Sequence, residues 1–164
     1  MKKNNLKFSQ IIRYLAMILI VVIGDQITKI LVTSSLRLST SYHIIDNFFA
    51  FTYVQNKGAA WGLLEGQIAL FLGVAVIAAV VITRYFLFTK KDEELTRFGL
   101  VLVFAGMIGN VIDRVYLGYV RDFLDFNLLG YDFPVFNIAD CAVVIGVGLI
   151  ILEMFLDEVK NVRD

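Results

Sequence analysis

The chain has 164 residues, of which 59% are hydrophobic and 18% charged, and its mean hydropathy is +0.76. Soluble domains average about 45–50% apolar and about 25% charged residues, so this composition favours one domain embedded in a bilayer. Fifteen basic and 15 acidic residues balance to zero net charge, which argues against nucleic acid as a partner. A single cysteine and a single histidine argue against an intrachain disulfide and against a zinc site.

Four apolar windows are predicted to cross the membrane as helices, because crossing about 30 Å of hydrocarbon takes roughly 20 helical residues. The third window is short, so we expect its polar end to lie against protein or water. The windows cover residues 11–32, 68–88, 98–114 and 138–156, and they leave two longer loops at 33–67 and 115–137.

Basic residues predict the orientation of these spans, since cytoplasmic loops carry an excess of Lys and Arg. Ten of the 15 basic residues flank the two termini and the short connection between the second and third windows. Both termini are therefore expected in the cytoplasm, with the two longer loops outside. No small-residue cleavage site follows the first apolar window, which favours a retained helix over a signal peptide.

The two longer loops carry aromatic residues that suit the membrane surface. The first contains "FFAFTYVQ", a pattern typical of a strand, and "NKG", which indicates a turn. A short strand or small sheet on the membrane surface is the expectation. Trp61 and the aromatics of the second loop are interpreted first as interface anchors.

Polar residues gather at one end of the predicted spans. Ionisable residues at membrane depth are costly and usually face a protein interior or a wet cavity. A shared polar pocket near the outer interface is the simplest explanation for the group, which comprises Asp25, Lys29, Asn110, Asp113, Arg114, Asp122, Asp125, Asn137 and Asp140.

Structural roles account for several of these residues. Asp25 and Lys29, spaced four apart on a helix, suit an ion pair, and Asp113 beside Arg114 suits a local pair that orients the loop. His43 is expected on the surface. Cys141 is expected as a small core residue.

Asp140 is harder to explain by structure alone. It lies in the first turn of the fourth span, where a helix favours an anion, but an uncharged residue would cap equally well. Two carboxylates brought together share a proton, so that one activates water while the other protonates a leaving amine. Spacing alone leaves Asp113, Asp122 and Asp125 open as the second acid, and Arg121 could pair with Asp122.

Four motifs in order resemble the bacterial lipoprotein signal peptidases, also called signal peptidase II. They are "DQITK" (25–29), "NKGAAWG" (56–62), "GNVIDRVYLGYVRDF" (109–123) and "FNIAD" (136–140). The resemblance implies an all-α membrane fold of four helices with a small extracytoplasmic sheet. It also implies an aspartic endopeptidase with Asp122 and Asp140 as the catalytic dyad.

The remaining motif residues take supporting roles by the same resemblance. Asp25 and Lys29 would brace the first span, and the loop that begins with Asn56 and Gly58 would cradle the substrate. Residues near the dyad or the substrate would be Asn56, Asn110, Asp113, Arg114 and Asn137. Two departures stand out. Arg121 replaces a small or β-branched residue and could lower the pKa of Asp122, and Cys141 replaces a common serine.

The implied activity is removal of the signal peptide from diacylglyceryl-modified prolipoproteins, just before the lipidated cysteine. The expected partners are that substrate and membrane lipids, with no metal or cofactor, in a monomer of the bacterial cell membrane. The expected site lies at the extracytoplasmic interface.

A rival hypothesis is a small transporter or channel subunit, but this predicts polar residues at the midplane, where the second and fourth windows are apolar. A third hypothesis is a structural membrane protein whose outer pocket binds lipid.

Overall fold

The structure, a computed structural model, describes residues 7–58, 64–90 and 93–161. Helices and strands alternate in groups, with a hairpin after the first helix and a second hairpin before the last. In chain order the elements are α1 (Phe8–Ser35), β1 (Ser41–Ile45), β2 (Phe49–Asn56), α2 (Ile68–Phe88), α3 (Glu94–Leu117), β3 (Val120–Leu128), β4 (Tyr131–Asp132) and α4 (Ile138–Asn161).

Within the described residues, four helices are long and apolar enough to cross a membrane. The helix α3 has 24 residues, because it extends the predicted window of residues 98–114 by four residues at its start and three at its end. Asp113 there is completely buried. The polar end of α3 therefore lies against protein, as expected.

The helix α3 lies at the centre and packs against α4 at backbone distance. A Cβ atom added to Gly99 would lie 2.5 Å from the carbonyl oxygen of Gly146, and one added to Gly146 would lie 2.5 Å from the carbonyl oxygen of Gly99. Gly106 meets the backbone of Ala139 in the same way. Small residues allow membrane helices to approach this closely, since lipid provides no hydrophobic drive between them.

Lipid-facing surface surrounds this centre. No residue of α2 is buried, and α1 and α4 expose large aliphatic side chains along their length. The polar groups gather where α1 and α3 end and α4 begins, which we call the site end of the helices.

A four-stranded antiparallel sheet in the order β1–β2–β3–β4 lies at the site end. The strand β2 confirms the one predicted from "FFAFTYVQ". Gly118, at φ +80°, ends α3 in the left-handed conformation and donates its N–H to the carbonyl of Arg114. Two residues later β3 begins, so the sheet is tied directly to the central helix.

Gly146→Ala is predicted to destabilise the protein, because the new methyl group would press on the backbone of α3. Overpacking of this kind costs about 1–3 kcal/mol. Gly148→Ala is the matched control on the same helix, since nothing lies within 4 Å of a Cβ atom at that position. Thermal unfolding in detergent should show a lower midpoint for Gly146→Ala alone; equal midpoints would contradict close α3–α4 packing.

Candidate active site

The N-terminus of α4 is closed by two side chains that bind each other's backbone. The Oδ1 atom of Asn137 accepts the N–H of Asp140 at 3.0 Å, and the Oδ2 atom of Asp140 accepts the N–H of Asn137 at 3.1 Å. This reciprocal arrangement is a capping box. Asp140 is thus held at the first turn of the helix, where backbone N–H groups favour an anion.

Asn110 of α3 reaches the other oxygen of Asp140. Its Nδ2 donates to Oδ1 of Asp140 at 2.7 Å, while its Oδ1 accepts from the ammonium of Lys29 at 3.0 Å and from Nδ2 of Asn137 at 3.1 Å. Because an ammonium only donates, the Lys29 contact fixes which end of the Asn110 amide faces the acid.

Asp122 lies on β3, opposite Val54 of β2, and both of its oxygens accept amide donors. Nδ2 of Asn137 donates to one oxygen at 2.6 Å, and Nδ2 of Asn56 donates to the other at 2.9 Å. Asn137 therefore touches both Asp122, with its side chain, and Asp140, with its backbone. The two acids, 18 positions apart in sequence, share one polar neighbour.

Burial raises the pKa of Asp122 to about 7, well above the ordinary value of 3.8. The negative charge of Asp140 raises this pKa further, while the hydrogen bonds from Asn56 and Asn137 act in the opposite direction. Near neutral pH, Asp122 therefore populates both its protonated and its ionised form.

A buried ionic cluster supports the site from behind. The ammonium of Lys29 lies 2.8 Å from Asp25 and 3.5 Å from Asp113, and all three side chains are fully buried. Arg121 completes the charge balance through a 2.7 Å contact with Asp113. Asp25 also accepts the backbone N–H of Ala139 at 3.0 Å, so the cluster holds the first turn of α4.

Two sequence-based expectations about this cluster are wrong. Asp113 does not form an ion pair with its neighbour Arg114; its carboxylate binds Arg121 and Lys29. Arg121 likewise forms its ion pair with Asp113 and not with Asp122, because consecutive residues of a strand point to opposite faces. The predicted pair of Asp25 and Lys29 is confirmed.

Arg114 instead tethers the segment that follows β2. Its guanidinium donates to the carbonyl of Gly58 at 3.0 Å and lies over the ring of Phe71, 4.6 Å from the centroid. Asn56 turns the same segment by accepting the N–H of Gly58 at 2.9 Å. Trp61 and the rest of "NKGAAWG" after Gly58 lie outside the described residues.

The two acids line one cavity of about 850 Å³. Its walls come from the end of β2, the start of β3, the segment before α4 and the first two turns of α4. Cys141 lines this cavity and is half-buried, whereas His43 is exposed on β1 as expected. The side of the cavity formed by Val144 and Ile145 continues into the lipid-facing surface, since both side chains are largely exposed.

Sequence reasoning missed Gln26, which lies inside the "DQITK" motif. Its Nε2 contacts Asp25, Asp113 and the carbonyl of Gly109, and its Oε1 accepts from Arg121 at 2.8 Å. A polar residue inside an apolar span was the available signal. The position carries no charge, so it did not stand out beside its ionisable neighbours.

The arrangement suits proton transfer to and from a substrate amide. One acid is buried with a raised pKa and the other is held at a helix N-terminus, both facing a cavity open to lipid. Among the residues that the structure describes, no group of three or more His, Cys, Asp or Glu side chains is placed to hold a metal ion.

Solved structures place this fold among bacterial membrane enzymes. One such enzyme, determined by the in meso method at 2.3 Å resolution, superposes with a TM-score of 0.83 and 35% identity over 96% of this chain and 94% of its own. A second, at 1.9 Å resolution, gives a TM-score of 0.79 and 38% identity over 94% and 97% of the two chains.

The sequence model described as signal peptidase (SPase) II matches residues 17–156, so the chain belongs to the signal peptidase II family. A lipoprotein signal peptidase of Staphylococcus aureus is 39% identical over 144 residues, which cover 88% of each chain. Its counterpart from the bovine strain RF122 / ET3-1 is 40% identical over 137 residues, or 84% of each chain. The chain is accordingly a multi-pass protease of the bacterial cell membrane that acts in lipoprotein processing.

The raised pKa of Asp122 makes stability depend on pH. Because the folded state holds this proton up to about pH 7 and the unfolded chain releases it near 3.8, the stabilisation is complete below about pH 4 and is lost as pH rises through 7. The total is up to about 4 kcal/mol. Asp122→Asn should therefore flatten the decline of the unfolding midpoint between pH 5 and pH 8, whereas Asp46→Asn in the exposed β1–β2 turn should not. An unchanged slope in Asp122→Asn would argue against a buried, proton-holding carboxyl.

Proposed function

We propose that this protease is an aspartic endopeptidase that cleaves diacylglyceryl-modified prolipoproteins just before the lipidated cysteine. Asp122 and Asp140 are the catalytic residues of this proposal. The observation that carries it is that Asn137 binds both carboxyl groups at once in a cavity open to lipid. The names of the relatives from Staphylococcus aureus support lipoproteins as the substrate class.

The surroundings of the two acids suit one to act as a base and the other as an acid. Asp140, at the positive end of α4, takes the role of the charged base that removes a proton from water. Asp122, with a pKa of about 7, donates its proton to the carbonyl oxygen of the scissile bond as water adds. When the C–N bond breaks, Asp140 passes the proton taken from water to the departing amine, and Asp122 recovers a proton from a hydroxyl of the gem-diol. No covalent intermediate is formed, and the pair titrates as a unit.

Amide side chains keep this division in place. Asn137 and Asn56 donate hydrogen bonds to the two oxygens of Asp122, and Asn110 donates one to an oxygen of Asp140. Neither carboxyl group therefore rotates freely. A fixed geometry of this kind lowers the cost of organising the reacting groups in the transition state.

The depth of the site suits a lipid-anchored substrate. A diacylglyceryl chain stays in the leaflet beside Val144 and Ile145 while the adjoining peptide bond enters the cavity. Ten of 15 basic residues flank the two termini and the α2–α3 connection. This excess supports a cytoplasmic position for these three segments and an extracytoplasmic position for the site. One copy supplies every proposed catalytic group, so the proposal takes the chain as one domain and requires no second subunit.

Asp122→Asn and Asp140→Asn are each predicted to abolish cleavage, because an amide neither accepts the proton of water nor donates one as an acid. The loss should be at least about a hundredfold. The measurement is the mobility shift of a diacylglyceryl-modified prolipoprotein on loss of its signal peptide, with purified enzyme in detergent or lipid.

Asp125→Asn is the matched control, since Asp125 lies on the same strand but binds Thr52 and is not among the residues that line the cavity. It should keep activity and membrane insertion. Turnover by either dyad variant would refute the assignment. Loss of cleavage in Asp125→Asn as well would show that activity is sensitive to any carboxyl group removed from β3, and the loss in the dyad variants would then not assign a catalytic role.

Cys141→Ala is predicted to retain cleavage, because the lone thiol stands beside Asp140 but has no role in the proposed proton transfers. The same prolipoprotein assay measures it. An inactive variant that still folds, as judged by its unfolding midpoint, would favour a thiol mechanism instead.

A further inference from the structure

Gln26 lies where α1 and α3 approach each other most closely at the site end. A Cβ atom added to Gly109 would lie 2.6 Å from Oδ2 of Asp25, so the two helices meet there without room for a side chain. Nε2 of Gln26 donates to the carbonyl of Gly109 at 3.1 Å. The amide of Gln26 therefore extends from α1 along the surface of α3 toward the sheet.

The partners of Gln26 fix which way its amide points. Nε2 faces acceptors, with Oδ2 of Asp25 and Oδ1 of Asp113 each at 3.1 Å, whereas Oε1 faces the guanidinium of Arg121 at 2.8 Å. A carboxylate only accepts hydrogen bonds and a guanidinium only donates them, so a single orientation of the amide satisfies both sides. A carboxylate or an apolar side chain at this position would satisfy at most one.

Arg121 is held by its main chain and by its side chain at the same time. Oδ2 of Asp113 accepts the backbone N–H of Arg121 at 2.9 Å and its Nε at 3.1 Å, and Oδ1 accepts Nη2 at 2.7 Å. Two parallel bonds between a guanidinium and a carboxylate set the geometry as well as the energy of the pair. The backbone that leads into Asp122 therefore starts from a fixed point on α3.

Gln26 closes this contact into a triangle of three side chains from α1, α3 and β3. Nη2 of Arg121 donates both to Asp113 and to Gln26, and Gln26 donates back to the same oxygen of Asp113. Without Gln26, the tip of Arg121 would keep its bond to Asp113 but lose its contact with α1. The strand β3 would then be held from one helix and not from two.

One turn of α1 thereby reaches both acids of the site by separate routes. Lys29 reaches Asp140 through Asn110, whose amide binds the ammonium at one end and the carboxyl group at the other. Gln26 reaches the strand that carries Asp122. The relative placement of the two acids is thus set from a single rigid segment.

We infer that Gln26 and Arg121 are positioning residues for Asp122, and that Gln26 acts through Arg121. Neither is among the residues that line the cavity, so the inferred role needs no contact with substrate. A misplacement of about 1 Å at a reacting group costs on the order of a hundredfold in rate. The inference rests on the proposed catalytic role of Asp122.

A double-mutant cycle tests the inference. Gln26→Met, Arg121→Met and the double variant keep an unbranched stem at each position and remove its polar end. Cleavage of a diacylglyceryl-modified prolipoprotein by the full-length enzyme in detergent gives kcat and KM, well below the unfolding midpoint of every variant. Thr33→Val is the matched control on α1, since the Thr33 hydroxyl binds carbonyls of its own helix at 3.0 and 3.1 Å.

Each single variant should lower kcat about ten- to a hundredfold and leave KM within about twofold, because the residues that line the cavity are unchanged. The double variant should match Arg121→Met within about threefold, because Gln26 has nothing left to hold. Thr33→Val should behave as the wild type. Losses that multiply in the double variant would show that Gln26 does not act through Arg121. An unchanged kcat in folded single variants would reduce both residues to a role in stability and overturn the inference.

Asp122→Asn, assayed beside the cycle, separates this inference from the proposed function. If Asp122→Asn is inactive and the losses in the cycle multiply, the coupling of Gln26 to Arg121 is rejected and the proposed dyad stands. If Asp122→Asn still turns over, the dyad is rejected, and the positioning of Asp122 is rejected with it.

Discussion

The site depends on one buried ammonium group. Lys29 has three N–H donors and uses them on Asp25, Asp113 and Asn110, all within a helix bundle that excludes water. A buried charge is tolerated only when paired and hydrogen-bonded, so the three partners have little freedom to move. Two of these partners act directly on the site. Asn110 presents its amide to Asp140, and Asp25 holds the backbone of Ala139 at the start of α4. A cation deep in α1 thereby fixes a carboxyl group on α4.

Charge balance explains why the cluster has four ionic members and not three. Asp25 and Asp113 carry two negative charges, and Lys29 alone would leave one of them unmatched in a region without solvent. Arg121 supplies the second positive charge and also donates its backbone N–H to Asp113 at 2.9 Å. The same residue therefore neutralises the cluster and anchors the strand β3, which carries Asp122 as its next residue. The charge of Asp122 is not balanced by a cation in this way. Burial beside Asp140 raises its pKa to about 7, and a perturbed pKa of this kind is typical of functional sites such as the one proposed for it.

The sequence predicted the helices and the motif residues, but not how neighbouring residues divide between partners. Hydropathy is local, so four apolar windows were enough to find α1 to α4. The identities of partners are not local. Asp113 and Arg114 are adjacent, yet they point about 100° apart on α3 and bind different elements. Arg121 and Asp122 are adjacent on β3, where alternation sends one to the ionic cluster and the other to the cavity. Choosing Asp122 over Asp113 or Asp125 required the register of β3, which spacing does not contain; the family resemblance supplied that choice.

An acid at the mouth of an apolar helix is less costly than its sequence context indicates. Any helix that begins at a membrane surface must satisfy its first N–H groups, and here Asn137 and Asp140 do so reciprocally. An uncharged cap would meet that need, but it would remove the carboxylate that serves as the base in the proposed mechanism. Asp140 satisfies the helix with one oxygen and turns the other toward Asn110, beside the space that Asp122 also faces. Capping thus offsets part of the cost of keeping an ionisable group at this depth, and in the proposed mechanism the remaining lone pairs of Asp140 serve the substrate.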